Sequence, residues 1–312
     1  MKLFNKSLSF LLAVTLTIML SSFTNTSDEE MILMGVTEEQ LAQLKEDVIF
    51  GQTGLISFPV CNAKIEVPSE FVYLDEQQSR KLLVDYWGNP ESHITELLGV
   101  LVPSTVSYFY QISVAYVLTY DNSGFIKDDD ANSIDYTELL KQMQEGAEKE
   151  NETLPEEQRC TIKGWAVPPH YSQSEHVLIW AKTLSFRGNE TVNYDMRILG
   201  KNGFVSINAV IDPENTNEVV SKESSIIQSL SFNQGYAYSD FDPNRDKISD
   251  WTIGGLVAGG VLAKTGVLAK IGAFLLKFSK LIIVGVIGLG AAIVKWFRGR
   301  RDEEEEYRKE TL

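Results

Sequence analysis

Cysteine and histidine are scarce: the 312 residues include two of the first and three of the second. Two cysteines exclude a disulfide-dense scaffold and a four-thiolate metal site. They leave room for one bridge, between Cys61 and Cys160, which would close a loop of about 100 residues for roughly 4 to 5 kcal/mol in the chain-entropy model; two free buried thiols are the alternative. Also missing are the patterns G-x-S-x-G, G-x-x-x-x-G-K-[ST], H-E-x-x-H and G-x-G-x-x-G, so no nucleophile elbow, P-loop, zincin helix or dinucleotide fingerprint is present. Net positive charge is found only near the N-terminus, where Lys2 and Lys6 stand without an acid, and in one segment near the C-terminus. Residues 251–301 hold eight Lys or Arg and no acid, so residues 26–250 carry a net charge of −21 against −15 for the whole chain. A body this acidic repels nucleic acid, and no nucleic-acid partner is expected. No cofactor is expected either.

What the chain does have is two long apolar stretches. MKLFNKSLSFLLAVTLTIMLSS places Lys2 and Lys6 before an apolar run from Leu8 to Leu20 and then small polar residues, the layout of a secretory signal over residues 1–25, with an uncleaved anchor as the alternative. Leu281 to Val294 is uninterruptedly apolar, and residues 281–297 would make about 25 Å of helix, enough for one span of a thin bilayer. Residues 251–280 read as an amphipathic helix rich in Gly and Lys. At about 100° per residue Lys270, Lys277 and Lys280 fall on one side, fit to lie against anionic lipid. Small residues at Gly255 and Gly259, Ala269 and Ala273, and Gly288 and Ala292 have the spacing that lets membrane helices pair, giving homo-oligomers or a protein partner. Lys295, Arg298, Arg300 and Arg301 come directly after the span and should stay cytoplasmic. The expected order is therefore signal, exported body over residues 26–250, surface helix, span, and a charged cytoplasmic tail over residues 298–312. On this order the body is expected to lie outside the cytoplasmic membrane.

The body alternates helical and extended patterns. ISFPVCNAKIEVP offers two short strands around a turn, LDEQQSRKLLVDYWG a helix with Leu82, Leu83 and Tyr86 on one side, and YQISVAYVLTY a long strand ended by DNSG. A helix beginning near Ser133 or Asp135 runs through YTELLKQMQEGAEKE. HVLIWAKTLSF, TVNYDMRILG and FVSINAVI, separated by RGNE and KNG, predict an antiparallel meander. SKESSIIQSLSF predicts a closing helix carrying Ile226, Ile227 and Leu230. The fold class is α+β, an antiparallel meander with flanking helices. GWAVPPHY, with prolines at 168 and 169, reads as a rigid turn from a strand ending near Ala166 into the strand from Val177 to Phe186.

VPSEFVYLD, GFIKDDDANSIDY, GWAVPPHY, LIWAK, NYDMRILG, FNQGYAYSDFDPNRDKI and GGLVAGGVLAKTGVLAKIGAFLLKF occur in this order and cover most of Val67 to Leu276. In them the chain resembles an uncharacterised bacterial membrane-anchored family defined only as a domain of unknown function. The resemblance implies an exported or anchored protein, and it carries over no catalytic residue. More loosely, the order of a V-P-x-x-F opening, a meander and a final helix is similar to small exported α/β sandwiches of the photosystem-associated and Mog1-like kind, which mostly bind partners.

Few constellations point to chemistry. Asp128 and Asp130 in KDDDA, and Asp242 and Asp246 in SDFDPNRDKISD, offer oxygen ligands for a cation, but a calcium loop laid on Thr119 to Asp130 has Thr at its first ligand position and Asp where a closing Glu is wanted, the second run has no glycine at the sharp turn, and solvated turns explain both. His170 and His176, with Glu175, could converge on zinc or move a proton if PPHYSQSEH were a hairpin connection. Trp165, Trp180 and Tyr171 read as core or as a binding groove. The expected function is a membrane-anchored, non-enzymatic interaction or scaffold domain of the envelope. The alternatives are a metal-dependent envelope hydrolase built on His170, Glu175, His176 and an acidic cluster, and a lipid-surface sensor built on the Lys270 face.

Overall fold

The computed structural model describes residues 47–259, apart from 88, 90, 113, 155, 157, 158 and 187, together with the single positions 38, 42 and 45. The signal, the Lys270, Lys277 and Lys280 face, the span and the tail lie outside the described residues. Among those described, no helix is long and apolar enough to cross a membrane.

Among the described residues ten strands form two sheets. The first hairpin, β1 (Gly54–Phe58) and β2 (Ala63–Val67), turns at Asn62 in a left-handed conformation and joins β10 (Leu230–Phe232) in a three-stranded sheet. The large sheet has seven strands in the order β3 (Phe71–Leu74), β4 (Leu97–Pro103), β5 (Tyr116–Asp121), β9 (Gly203–Ile211), β8 (Asn189–Gly200), β7 (Val177–Phe186), β6 (Thr161–Ser172), with every neighbouring pair antiparallel. The meander expected from HVLIWAK, NYDMRIL and FVSINAV is β7–β8–β9, its turns at residues 188 and 201–202.

Alternation decides which side chains each face of the large sheet receives. On one face Tyr116, Leu118, Ile179, Tyr194, Met196, Val205 and Ile207 meet the small sheet and α3 (Thr216–Ser229), whose Val219 and Ile226 are buried there. The other face carries two separate apolar clusters. At one edge α1 (Glu76–Arg80), capped by Asp75 and continued as a π-helical turn through Lys81–Tyr86, covers Leu74, Val100 and Val102 with Leu82, Leu83 and Tyr86. At the other edge α2 (Tyr136–Asn151), capped by Asp135, and the short α4 (Ile253–Ala258) cover Leu178, Trp180 and Leu184 with Leu139, Met143, Leu256 and Val257.

Four local expectations change. GWAVPPHY lies within β6 and is not a turn. β6 pairs only with β7 and its register slips between Trp165 and Val167 and between Val167 and His170; an edge strand with bulges tolerates prolines that a central strand would not. YQISVAYVLTY is only half strand: Phe109–Gln111 is a 3-10 turn and β5 starts at Tyr116. The helix in SKESSIIQSLSF stops at Ser229, because Leu230 turns to an extended conformation and LSF completes the small sheet. The body, expected to end at residue 250, continues through α4, whose residues from Ile253 to Ala258 are all buried.

Candidate functional site

The conspicuous chemistry of the sequence collects where the β6–β7 turn meets the loop after β5. His176 ends that turn in a left-handed conformation, φ 55°. Its ring stacks on Tyr238 at 4.0 Å between centroids; Tyr238 lies 4.4 Å from Phe125, and Phe125 stacks on Phe241 at 3.8 Å. Beside this four-ring column Tyr171 donates its hydroxyl proton to Asp128 Oδ2 at 3.1 Å, and the Tyr171 oxygen lies 3.2 Å from His176 Nδ1. A phenol has one proton to give, so with Asp128 as its acceptor the His176 contact is completed by a proton on Nδ1. Tyr238 donates to the Ile126 carbonyl at 2.8 Å. Burial first, and then the negative charge of Asp128, push the Tyr171 and Tyr238 hydroxyls well above the ordinary phenol range. Neither supplies a phenolate near neutral pH.

The other sequence candidates are separated from this corner or occupied by structural work. His170 pairs across from Ile179, whose side chain belongs to the opposite face of the sheet, and is exposed. The two imidazoles therefore do not converge. Glu175 is exposed and accepts from the Ser172 hydroxyl at 2.9 Å within its own turn. Asp130 accepts from the backbone N–H groups of Ile253 and Gly254 at 3.1 and 3.0 Å, so it caps α4. Asp242 closes a turn by accepting from Asn244 N–H at 2.9 Å and pairing with Arg245 at 2.7 Å. Asp246 accepts from Asp242 N–H at 2.7 Å and lies 3.6 Å from Lys201 Nζ. Among the described residues no group of three or more His, Cys, Asp or Glu side chains is placed to hold a metal ion. Cys61 packs in the cluster under the small sheet and Cys160 against the cluster under α2; both thiols are free, on opposite faces of the large sheet. The bridge allowed by sequence is not formed.

Residues 233–250 form a strap across this corner. The strap bonds to the β8–β9 turn through Lys201 N–H to the Tyr236 carbonyl at 3.1 Å, and to the loop after β5 through Phe125 N–H to the Lys247 carbonyl and Ser249 N–H to the Phe125 carbonyl, both 2.8 Å. It leads directly into α4. Thr252 accepts from Gly255 N–H at 3.1 Å and completes the cap with Asp130. Gly255 is thus buried inside the body, not presented to a partner helix.

A pocket of about 470 Å³ beside α1 is lined by Asp47, Phe50, Gln78, Arg80, Lys81 and Phe109, among others. Its cations are already matched: Lys81 pairs with Asp47, and Arg80 pairs with Glu91 at 2.5 Å and Glu76 at 3.0 Å. Gln78 bonds Phe50 at both its N–H and its carbonyl, each at 2.8 Å.

One polar group escaped sequence reasoning altogether. Between the two apolar clusters on the α2 face of the sheet lies a stripe made of Lys182, Asn193, Asp195, Arg197, Ser206 and Asn208, all but Asn208 nearly sealed from solvent. The signal was the alternation in NYDMR, which sends Asn193, Asp195 and Arg197 to one face; such a pattern ordinarily marks a solvated face, and here that face is covered.

The family model described as "Protein of unknown function (DUF2167)" matches residues 51–290. The chain belongs to this family. The match bears out the resemblance to a domain of unknown function, and it takes in every described strand along with α4. No curated protein matches significantly. Among solved structures, the solution structure of cyanobacterial PsbP (CyanoP) from Synechocystis sp. PCC 6803 is similar to this chain with a TM-score of 0.36 at 6% identity, over 59% of this chain and 95% of that one.

Proposed function

We propose that this member of the family is an envelope interaction domain held at the bacterial inner membrane by the apolar segment C-terminal to its body, with the body on the periplasmic side and the tail in the cytoplasm. The observation that carries the reading is the docking of α4. The apolar segment does not begin as a leash: its first turns are buried in the body and capped by Asp130, 123 residues upstream of Ile253. An attachment whose first turns are packed into the body suits a scaffold that presents a surface to partners. The fate of the reactive side chains supports the same conclusion. Asp130, Asp242 and Asp246 hold backbone, and Asp128, Tyr171 and His176 hold the corner onto which the strap packs.

Chemical crosslinking of the intact protein in its native membrane tests this. Intermolecular products from residues of the body, to another envelope protein or to a second copy, are expected. Stoichiometric zinc in the purified protein, lost in His170→Ala, would instead support the hydrolase reading.

A further inference from the structure

The polar stripe on the large sheet is incomplete by its own hydrogen bonding. Across the sheet Trp180 stands opposite Asp195 and Asp195 opposite Asn208; Lys182 stands opposite Asn193, and Arg197 opposite Ser206. Asp195 therefore lies in the row between the two cations. Arg197 is 6% exposed, its guanidinium carbon 4.9 Å from the Trp180 ring and 4.8 Å from the Phe204 ring. Stacking of this kind fixes the plane of the guanidinium and leaves its edge to meet an acceptor. No described acceptor meets it: Arg197 Nε, Asn193 Nδ2 and Trp180 Nε1 are buried without a hydrogen-bond partner. Asp195 has one oxygen taken by Asn208 Nδ2 at 3.1 Å; its charge acts on both cations, and that of Asp121 acts on Arg197 as well. The sealed atoms without a partner are the Arg197 Nε and Trp180 Nε1 N–H groups and one end of the Asn193 amide, and two of the three are on or beside a cation. Burying such groups unmet is costly, so the stripe has the chemistry of a site that an oxyanion completes.

We propose that the stripe is a phosphate-group site, taking inorganic phosphate or a phosphate monoester in its singly protonated form. Arg197 and Lys182 bind its charged oxygens, Asn193 and Trp180 donate N–H bonds, and the free oxygen of Asp195 accepts the P–OH proton. Asp195 makes the choice of ligand. A fully ionised oxyanion such as sulfate has no proton to give and meets the carboxylate as a repulsion, whereas inorganic phosphate keeps at least one P–OH proton throughout the neutral range and a monoester, with a second pKa of about 6, takes up its proton on binding.

Thermal unfolding of the full chain in detergent, with phosphate or sulfate added at equal ionic strength, tests the site, because both anions strengthen folding non-specifically to a similar degree. At tenfold saturation phosphate should raise Tm by about 3 to 5 °C beyond sulfate. Arg197→Met and Lys182→Met should each abolish the excess and weaken phosphate binding, read by calorimetric titration, at least about tenfold. The near-isosteric Asp195→Asn should still fold and should bind sulfate as well as phosphate. An excess seen with phosphatidic acid bilayers but not with inorganic phosphate would place the same phosphate chemistry on a lipid headgroup. Equal effects of phosphate and sulfate on the wild-type protein, with no heat of phosphate binding and no gain from phosphatidic acid, would overturn the proposal.

Discussion

Asp130 exerts its effect at a distance of 123 residues, by receiving two N–H groups at the start of α4. Replacing it with alanine leaves those donors facing buried carbon, and the expected cost is about 1 to 2 kcal/mol. The discriminating readout is amide exchange. In Asp130→Ala the amides of Ile253 and Gly254 should lose protection before those of β8, while a uniform loss would mean that the cap holds nothing in particular. The thiols supply a second residue-scale test. Burial pushes Cys61 up to about 11 and Cys160 up to about 12 from an ordinary value of 9.0, so both should resist alkylation at pH 8 until denaturant is added; rapid labelling of either would contradict its placement. At this scale the sequence was least legible. It identified His176 and Asp128 as residues of interest, but not that Tyr171 lies between them or that Tyr238 stacks on the imidazole, because the stacking partner comes from the strap, more than 60 residues further on. The same holds for Asp130, whose partner is a backbone that no side-chain pattern reveals.

Elements with a strong period were legible. Alternation over β7, β8 and β9 and the helical spacing of α2 and α3 each stand where their patterns put them, because local propensity and burial agree there. Misreadings fell where tertiary pairing overrode a local cue: two prolines in GWAVPPHY read as a turn, yet the edge position of β6 and its bulges accommodate them. The β8–β9 hairpin depends on close approach of backbones at its turn. Gly203 has φ +147° and a Cβ there would lie 1.8 Å from the Asp121 carbonyl oxygen of β5. Gly203→Ala should therefore destabilise the protein by about 3 kcal/mol or more, measured by urea unfolding. A loss under about 1 kcal/mol, the ordinary scale for a strand position, would show that β5 and β9 part easily. Sheet-face alternation also left one lesson at this scale: in NYDMR it named the correct face for Asn193, Asp195 and Arg197 but not its environment, since burial depends on what covers the face.

The whole molecule combines an acidic α+β body with an apolar, basic segment whose first turns belong to the body. Its stability should respond to alkali in a defined way. Buried Cys61, half-buried Cys160, and buried Tyr73 and Tyr120 have folded values raised to about 11, 12, 12 and 12 from 9.0 for the thiols and 10.0 for the phenols. For each group the folded state holds a proton that the unfolded chain releases earlier, so the contribution is fully present below pH 9 and is lost as pH climbs toward 12. The urea midpoint should be flat with respect to these groups from pH 7 to about pH 9 and fall above it; a midpoint that rises between pH 9 and 11 would contradict their burial. Charge asymmetry, the N-terminal signal pattern and the long apolar run are the sequence features from which the tethered arrangement is proposed, whereas the docking of α4 was not legible, because glycine-rich GGLVAGG reads equally well as membrane helix. Reporters that are active on only one side of the membrane, fused after Asp250 in one chain and after Leu312 in another, address the tethered arrangement most directly. An extracytoplasmic signal from the first and a cytoplasmic signal from the second are expected. Signals from the same side for both fusions would contradict it.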